Sequence, residues 1–453
     1  MLAQSTRKLP KTRWIGVDVF KGWGVWYMFI IHAFIQQIAG YDASLFITTL
    51  DQIDSWWPYI FAVPIGIVSL WGFMFGLAFA CTVAMQTLRI LDTNPRKLPK
   101  YIWQKFLMGC LILLLNKIGG TIFRIPLFQD GTTLFPSLTV SYNAQILDAI
   151  AWMGVMVPTL IWFLYGLFRI KQTNHLVITL LVLLTFWFAL TPTMLSIGES
   201  SILWLDSRNL QILSLFISKF VRGRFRLVPG FGYGFLGSIY AILLYREVKF
   251  KEIVKFALGF FAYCIIGFLI WILWVDTAWF ESFTDESVPI PLTIVSMSTM
   301  QFLLVLFIRT HDYPKTEKKR VQASKRTTFW RRFSVFSLTG FSIGTPIADR
   351  IFSLFTYFWG PSIDYSGPIA LFNWNLLQIL TFVFFIWGFW EIILRLWENF
   401  EYKFSLDWFL AQIMAMLTGA KMGRSNVKPI IYGPNQYQVH EVISVEGKTG
   451  VLN

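Results

Sequence analysis

A chain of 453 residues that is 55% hydrophobic, 14% charged and carries 21 tryptophans cannot be an ordinary soluble domain. The formal charge of +14 would suggest nucleic acid in a soluble protein; here it follows the loops of a membrane protein, and no nucleic-acid partner is expected. Three cysteines, Cys81, Cys110 and Cys264, all lie in apolar segments, which leaves neither a disulfide framework nor a metal-ligand spacing.

In chain order, apolar runs close to membrane length lie at about 22–40, 58–84, 104–120, 144–168, 174–195, 227–245, 254–275, 288–308, 333–358 and 368–394. They predict an all-α polytopic membrane helical bundle over residues 1–400, with about ten transmembrane helices. The third run is short, and the ninth is interrupted by Thr339-Gly340, Gly344-Thr345-Pro346 and Asp349-Arg350. Arg7, Lys8, Lys11 and Arg13 precede the first run as in a signal peptide, but no small-x-small cleavage site follows, so it reads as a retained span. Residues 401–420 read as an amphipathic helix lying on the inner face, and 421–453 as a polar cytoplasmic tail, coil or a small strand pair.

Basic residues gather in the leader, in 85–105, in 246–255 and in 309–332, which alone holds nine Lys or Arg. The loops 41–57 and 276–287 hold only acidic charges. By the positive-inside rule both termini are cytoplasmic, and the cell membrane is the expected location. Segment 309–332 reads as a solvated, lipid-attracted linker. One loop departs from the pattern: 196–226 should lie outside, yet it ends in Lys219-Phe-Val-Arg222-Gly-Arg224-Phe-Arg226. That run is either an interfacial helix against lipid head groups or a cationic wall for an anionic acceptor.

The first span holds the only histidine that this assignment places deep inside the membrane, His175 standing at the very edge of its run. His32 follows Lys21 by eleven positions, roughly 16 Å along a helix, which is about mid-bilayer. An ionisable group at that depth is costly unless it is paired, hydrated or used, so His32 is a candidate catalytic residue, with Gln36 one turn further on. A histidine that only bonds across helices is the alternative.

Arg13, Asp18-Val-Phe-Lys21-Gly-Trp-Gly and His32 together resemble the opening of the integral-membrane acyltransferase superfamily. The branch most similar is the heparan-α-glucosaminide N-acetyltransferase-like one. Leu70-Trp-Gly-Phe-Met-Phe-Gly76, Ile146-Leu-Asp148-Ala-Ile-Ala, Arg226-Leu-Val-Pro229 through Gly237, Phe336-Ser337-Leu-Thr339 and Phe404-Ser405-Leu-Asp407-Trp408 are similar to further segments of that group. Lys21 stands where the family often has Arg, and Asp148-Ala149 replace an amide and a frequent basic residue.

The resemblance implies a co-substrate, cytoplasmic acyl-CoA such as acetyl-CoA, with Lys21, Arg89 and Lys105 facing its phosphates and His32 acting as base or nucleophile. It implies an acceptor hydroxyl or amine on a sugar or lipid-linked glycan approaching from outside, with Asp148, Gln36, Arg222, Arg224 and Arg226 as acceptor or orienting residues. No metal is implied. Membrane lipids are the other expected partners, and the oligomeric state stays open. Two rival readings, a transporter or exporter of an amphiphilic solute and a non-catalytic membrane scaffold, remain open.

Overall fold

The computed structural model describes residues 14–38, 73–123, 146–223, 225–275, 290–314, 316–364, 366, 371–418 and 427–433. The leader, the acidic loops 41–57 and 276–287, the first part of the second expected span, Arg13, Arg224 and most of the 421–453 tail lie outside these residues.

The described chain is helical almost throughout. Its helices are α1 (Ile15–His32), α2 (Met74–Thr93), α3 (Leu98–Phe123), α4 (Ile146–Ile161), α5 (Thr173–Ser207), α6 (Gln211–Val221), α7 (Leu227–Tyr245) and α8 (Phe250–Ile270). They continue with α9 (Ile290–His311), α10 (Glu317–Arg326), α11 (Thr328–Val335), α12 (Ser337–Trp359), α13 (Leu376–Glu398), α14 (Leu406–Thr418) and α15 (Lys428–Tyr432). A two-residue strand pair, β1 (Ile363–Asp364) with β2 (Leu371–Phe372), joins α12 to α13. α1, α4 and α8 each run on into a π-helical turn, at Ala33–Ile38, Trp162–Leu167 and Trp271–Val275.

Among the described residues seven helices are long and apolar enough to cross a membrane: α2, α4, α5, α7, α8, α9 and α13. α1, α3 and α12 are of similar length but carry charged or polar residues such as Asp18, Lys21, Lys105, Asp349 and Arg350.

Packing sorts them into an inner and an outer set. α7 is buried along its whole length, because it is apolar on every face and its two interior tyrosines find partners. Tyr233 donates to Ser296 Oγ at 2.8 Å and Tyr240 to Gln301 Oε1 at 2.7 Å. A Cβ at Gly237 would come within 2.8 Å of the Leu77 carbonyl, so α7 and α2 pack with backbones close together. α5, α8 and α13 instead expose Phe186, Leu203, Leu273, Leu377 and Ile392, as lipid-facing helices do.

Helix ends meet in two groups. At one end Tyr165 and Tyr245 both donate to Asp92, at 2.5 and 2.9 Å, and Arg246 donates to Tyr165 Oη at 2.6 Å. Tyr313 donates to the Val248 carbonyl at 2.8 Å, and Asp312 accepts from the N–H groups of Ile15 and Gly16 at 3.1 and 2.8 Å. The α1 N-terminus is thereby capped from the end of α9. This end carries the basic runs 89–100, 246–255 and 309–332. At the opposite end the π turn of α1 is tied down where Ser362 Oγ donates to the Ile38 carbonyl at 2.8 Å.

Four expectations are corrected. The second helix runs to Thr93, so Arg89 is helical and the connection to α3 is only a short 3₁₀ turn at Pro95–Lys97. Nothing breaks the chain between Cys81 and Thr93, whereas Pro95 bars the helical conformation at Asn94. Residues 196–207 continue α5, and the helix that follows ends at Val221, so Arg222, Gly223, Phe225 and Arg226 are non-helical, with Gly223 at φ 88°. Segment 309–332 is not an irregular linker: it folds into α10 and α11, and while Arg309, Lys318, Lys319, Lys325 and Arg326 are exposed as expected, Arg331 and Arg332 are buried. Within the tail, 428–432 is a short helix and not coil, while 421–426 and 434–453, where coil or a strand pair is expected, lie outside the described residues.

Candidate functional site

α1 is the element that the others enclose, with α2, α9, α11, α12 and α13 packed around it. The contact with α11 is so close that a Cβ at Gly22 would fall 1.7 Å from the Trp330 carbonyl oxygen, a position only glycine allows. Eleven residues make about three turns, so Lys21 and His32 lie on one face of α1, roughly 16 Å apart along its axis.

Lys21 Nζ lies 4.7 Å from the centroid of Phe75, on α2. One turn further along α2, Phe79 lies 5.9 Å from Lys105 Nζ, which also faces Tyr101 at 5.3 Å. Tyr101 in turn donates to Gln86 Oε1 at 2.8 Å. The α2 face bearing Phe75, Phe79 and Gln86 thus joins Lys21 to Lys105. Arg89 is half-buried on the same face, but ten residues from Phe79, roughly 15 Å away.

A carboxylate within the field of Lys21 comes from the other end of the chain. Asp407 accepts from the N–H groups of Leu338 and Thr339 at 3.1 and 2.9 Å and from Thr339 Oγ1 at 2.8 Å, which caps the N-terminus of α12. Thr339 Oγ1 returns the favour by accepting from the Leu406 N–H at 2.9 Å, at the start of α14. The two motifs Ser-Leu-Thr and Ser-Leu-Asp-Trp are therefore one reciprocal cap. Burial pushes the Asp407 carboxyl above the usual carboxylate range; the bonds from Thr339, the positive charge of Lys21 and the Leu338 N–H pull it partly back.

α12 runs alongside α1 from this cap. Phe341 meets Phe75 edge-on at 5.2 Å, and one turn later Thr345 Oγ1 stands 3.3 Å from His32 Nδ1. Thr345 was visible in the sequence only as part of an interruption; a hydroxyl inside a span is the signal that could have singled it out. Gln36 lies in the π turn beyond His32, and its side chain is outside the described residues.

The remaining expected site residues lie elsewhere. Asp148, expected to orient His32 or the acceptor, is buried at the start of α4 with an ion-pair partner in Lys219 Nζ at 3.4 Å. Arg222 forms a fork with Glu199, with Nε at 2.9 Å and Nη2 at 2.7 Å from Oε2. Arg226 stands in the field of the same carboxylate, at the N-cap of α7. Lys219, Arg222 and Arg226, three of the basic residues that departed from the charge pattern, thus face acids on α4 and α5.

His32 is also not the only histidine within the apolar helices. His311 is buried at the end of α9, with Nδ1 2.8 Å from the Phe307 carbonyl and Nε2 3.0 Å from Thr327 Oγ1. Both ring nitrogens are engaged, Nδ1 within α9 and Nε2 in holding α9 to the start of α11, a structural role. Among the described residues no group of three or more His, Cys, Asp or Glu is placed to hold a metal ion.

No protein-family model, no curated protein and no solved structure matches this chain.

Proposed function

We propose that the chain is an integral membrane acyltransferase that moves an acyl group, such as acetyl, from cytoplasmic acyl-CoA to a hydroxyl or amine on a sugar or lipid-linked glycan. The observation that carries this reading is the placement of Lys21 and His32 on one face of the enclosed helix α1. Lys21 stands with Lys105 along one side of α2, and α12 leads from there to His32.

In this reading α1, α3 and α12 cross the membrane with the seven apolar helices, and both termini are cytoplasmic. The two lysines attract the donor's phosphates, and the extended pantetheine arm follows the α1–α12 contact to bring the thioester to mid-depth. His32, its Nδ1 oriented by Thr345, takes the proton from the acceptor O–H or N–H as the acceptor atom bonds to the acyl carbon. The C–S bond breaks, and the departing thiolate takes that proton from the imidazolium. Lysine gives the donor site a point charge, not a planar fork.

Purified protein incubated with labelled acetyl-CoA tests this. Wild type should release CoA thiol, His32→Ala should lose on the order of 10²- to 10⁴-fold in rate, and Lys21→Ala should raise KM for acetyl-CoA, with both variants folded. A wild type that neither binds nor consumes acetyl-CoA would overturn the reading and move the question to solute transport.

A further inference from the structure

We propose that the hydroxyl of Ser342 donates a hydrogen bond to the thioester carbonyl of the acyl donor; the proposal rests on the acyltransferase reading above. Ser342 is 5% exposed on α12, and its Oγ is buried with no hydrogen-bond partner among the described residues. That state is unusual for a hydroxyl inside a helix, which normally donates to the carbonyl four residues back. Thr82, Thr87, Thr159, Thr191 and Ser238 all do so in this chain. Ser342 does not, and Pro346, four residues on, supplies no N–H to the Ser342 carbonyl.

Position gives the unused hydroxyl its meaning. Ser342 follows Phe341, which meets Phe75 beneath Lys21, and precedes by three residues Thr345, which meets His32. Residues three apart on a helix are neighbours with Cβ atoms about 5–6 Å apart, so a carbonyl placed between Thr345 and Ser342 lies beside His32 as well. Ser214 is the other buried serine hydroxyl without a partner among the described residues, but it stands on α6, which packs on α5 and α7.

The chemistry needs such a donor. As the acceptor atom bonds to the acyl carbon, the carbonyl π pair moves onto oxygen, and it returns when the C–S bond breaks and sulfur leaves with its electron pair. A hydroxyl held in a dry site is most effective at the moment when the oxygen is negative. An unbonded buried hydroxyl is unfavourable in the free protein, and the bound thioester relieves that.

The test measures thiol release from acetyl-CoA, with glucosamine as probe acceptor, together with Tm, for wild type, Ser342→Ala and, as control, Ser214→Ala. Ser342→Ala should lower kcat by about 10²-fold, the effect of losing one oxyanion donor, leave KM within about threefold, and leave Tm unchanged or higher, because no bond is lost. Ser214→Ala should keep full kcat. Unchanged kcat in Ser342→Ala overturns the proposal, as does a loss that tracks a lower Tm, which would make the hydroxyl structural. A raised KM at constant kcat also overturns it, since the hydroxyl would then bind another part of the donor. Wild type without thiol release would instead remove the acyltransferase reading itself, which the wild-type arm reads separately.

Discussion

At Asp407 one carboxylate serves two demands that conflict. Its oxygens cap α12, yet it is buried, and burial raises its proton affinity more than Thr339, Lys21 and Leu338 lower it. A carboxyl whose folded pKa is raised adds stability that is fully present below its ordinary value of 3.8 and is lost as pH rises through the elevated value. Asparagine keeps an acceptor for the cap without the charge. Asp407→Asn should therefore have a higher Tm than wild type at pH 7, and the difference should shrink toward zero as the pH is lowered toward 4. A gap that widens on acidification would contradict that assignment. The same variant removes one carboxyl group from the field of Lys21.

Among the elements, α11 is the one whose character the charge pattern misjudged. A run of nine basic residues reads as solvated, but Arg331 and Arg332 point inward and are matched by groups far along the chain. Arg331 donates to the Gly433 carbonyl at 2.9 Å and to Ser324 Oγ at 2.7 Å. Arg332 donates to Glu398 at 2.8 Å, Glu391 at 3.4 Å and the Tyr432 hydroxyl at 2.8 Å. These bonds fasten α15 and α13 to α11, and α11 holds α1 at Gly22. The Arg332 and Glu398 side chains are 6% and 7% exposed, so breaking the pair leaves a charge stranded. Arg332→Ala should cost about 3–5 kcal/mol, seen as a lower midpoint in thermal unfolding in detergent. A midpoint unchanged within error would show that water reaches the pair.

For the whole molecule, the sorting of charge between the two ends gives an orientation that labelling can check. Positive residues crowd the end that holds the Asp92–Tyr165–Arg246 group and the Asp312 cap of α1, while at the other end Lys219 and Arg222 are met by Asp148 and Glu199. At the second end Lys219 and Arg222 are thus engaged by acids of the bundle and are not presented as a bare cationic run, and the orientation proposed above is open to direct test. With Cys81, Cys110 and Cys264 replaced by alanine, Arg96→Cys in the exposed turn before α3 should be protected from an impermeant maleimide in right-side-out vesicles. Arg208→Cys, in the exposed turn after α5, should label there, and inside-out vesicles should reverse both. The opposite result would invert the proposed topology.

Much of this was legible without coordinates. Apolar runs near membrane length established the helical class, since burial in lipid demands that composition whatever the packing. The eleven-residue step from Lys21 to His32 placed both on one face, because helix geometry is local. The sequence could not supply the partners. Thr345 beside His32, Phe75 under Lys21, Asp407 on the start of α12 and Glu398 against Arg332 lie dozens to hundreds of residues apart in the chain. Such pairings have no period and no local propensity. They follow from which helix faces which, and that is decided by close backbone approach at residues such as Gly22 and Gly237 and by the pairing of buried polar groups.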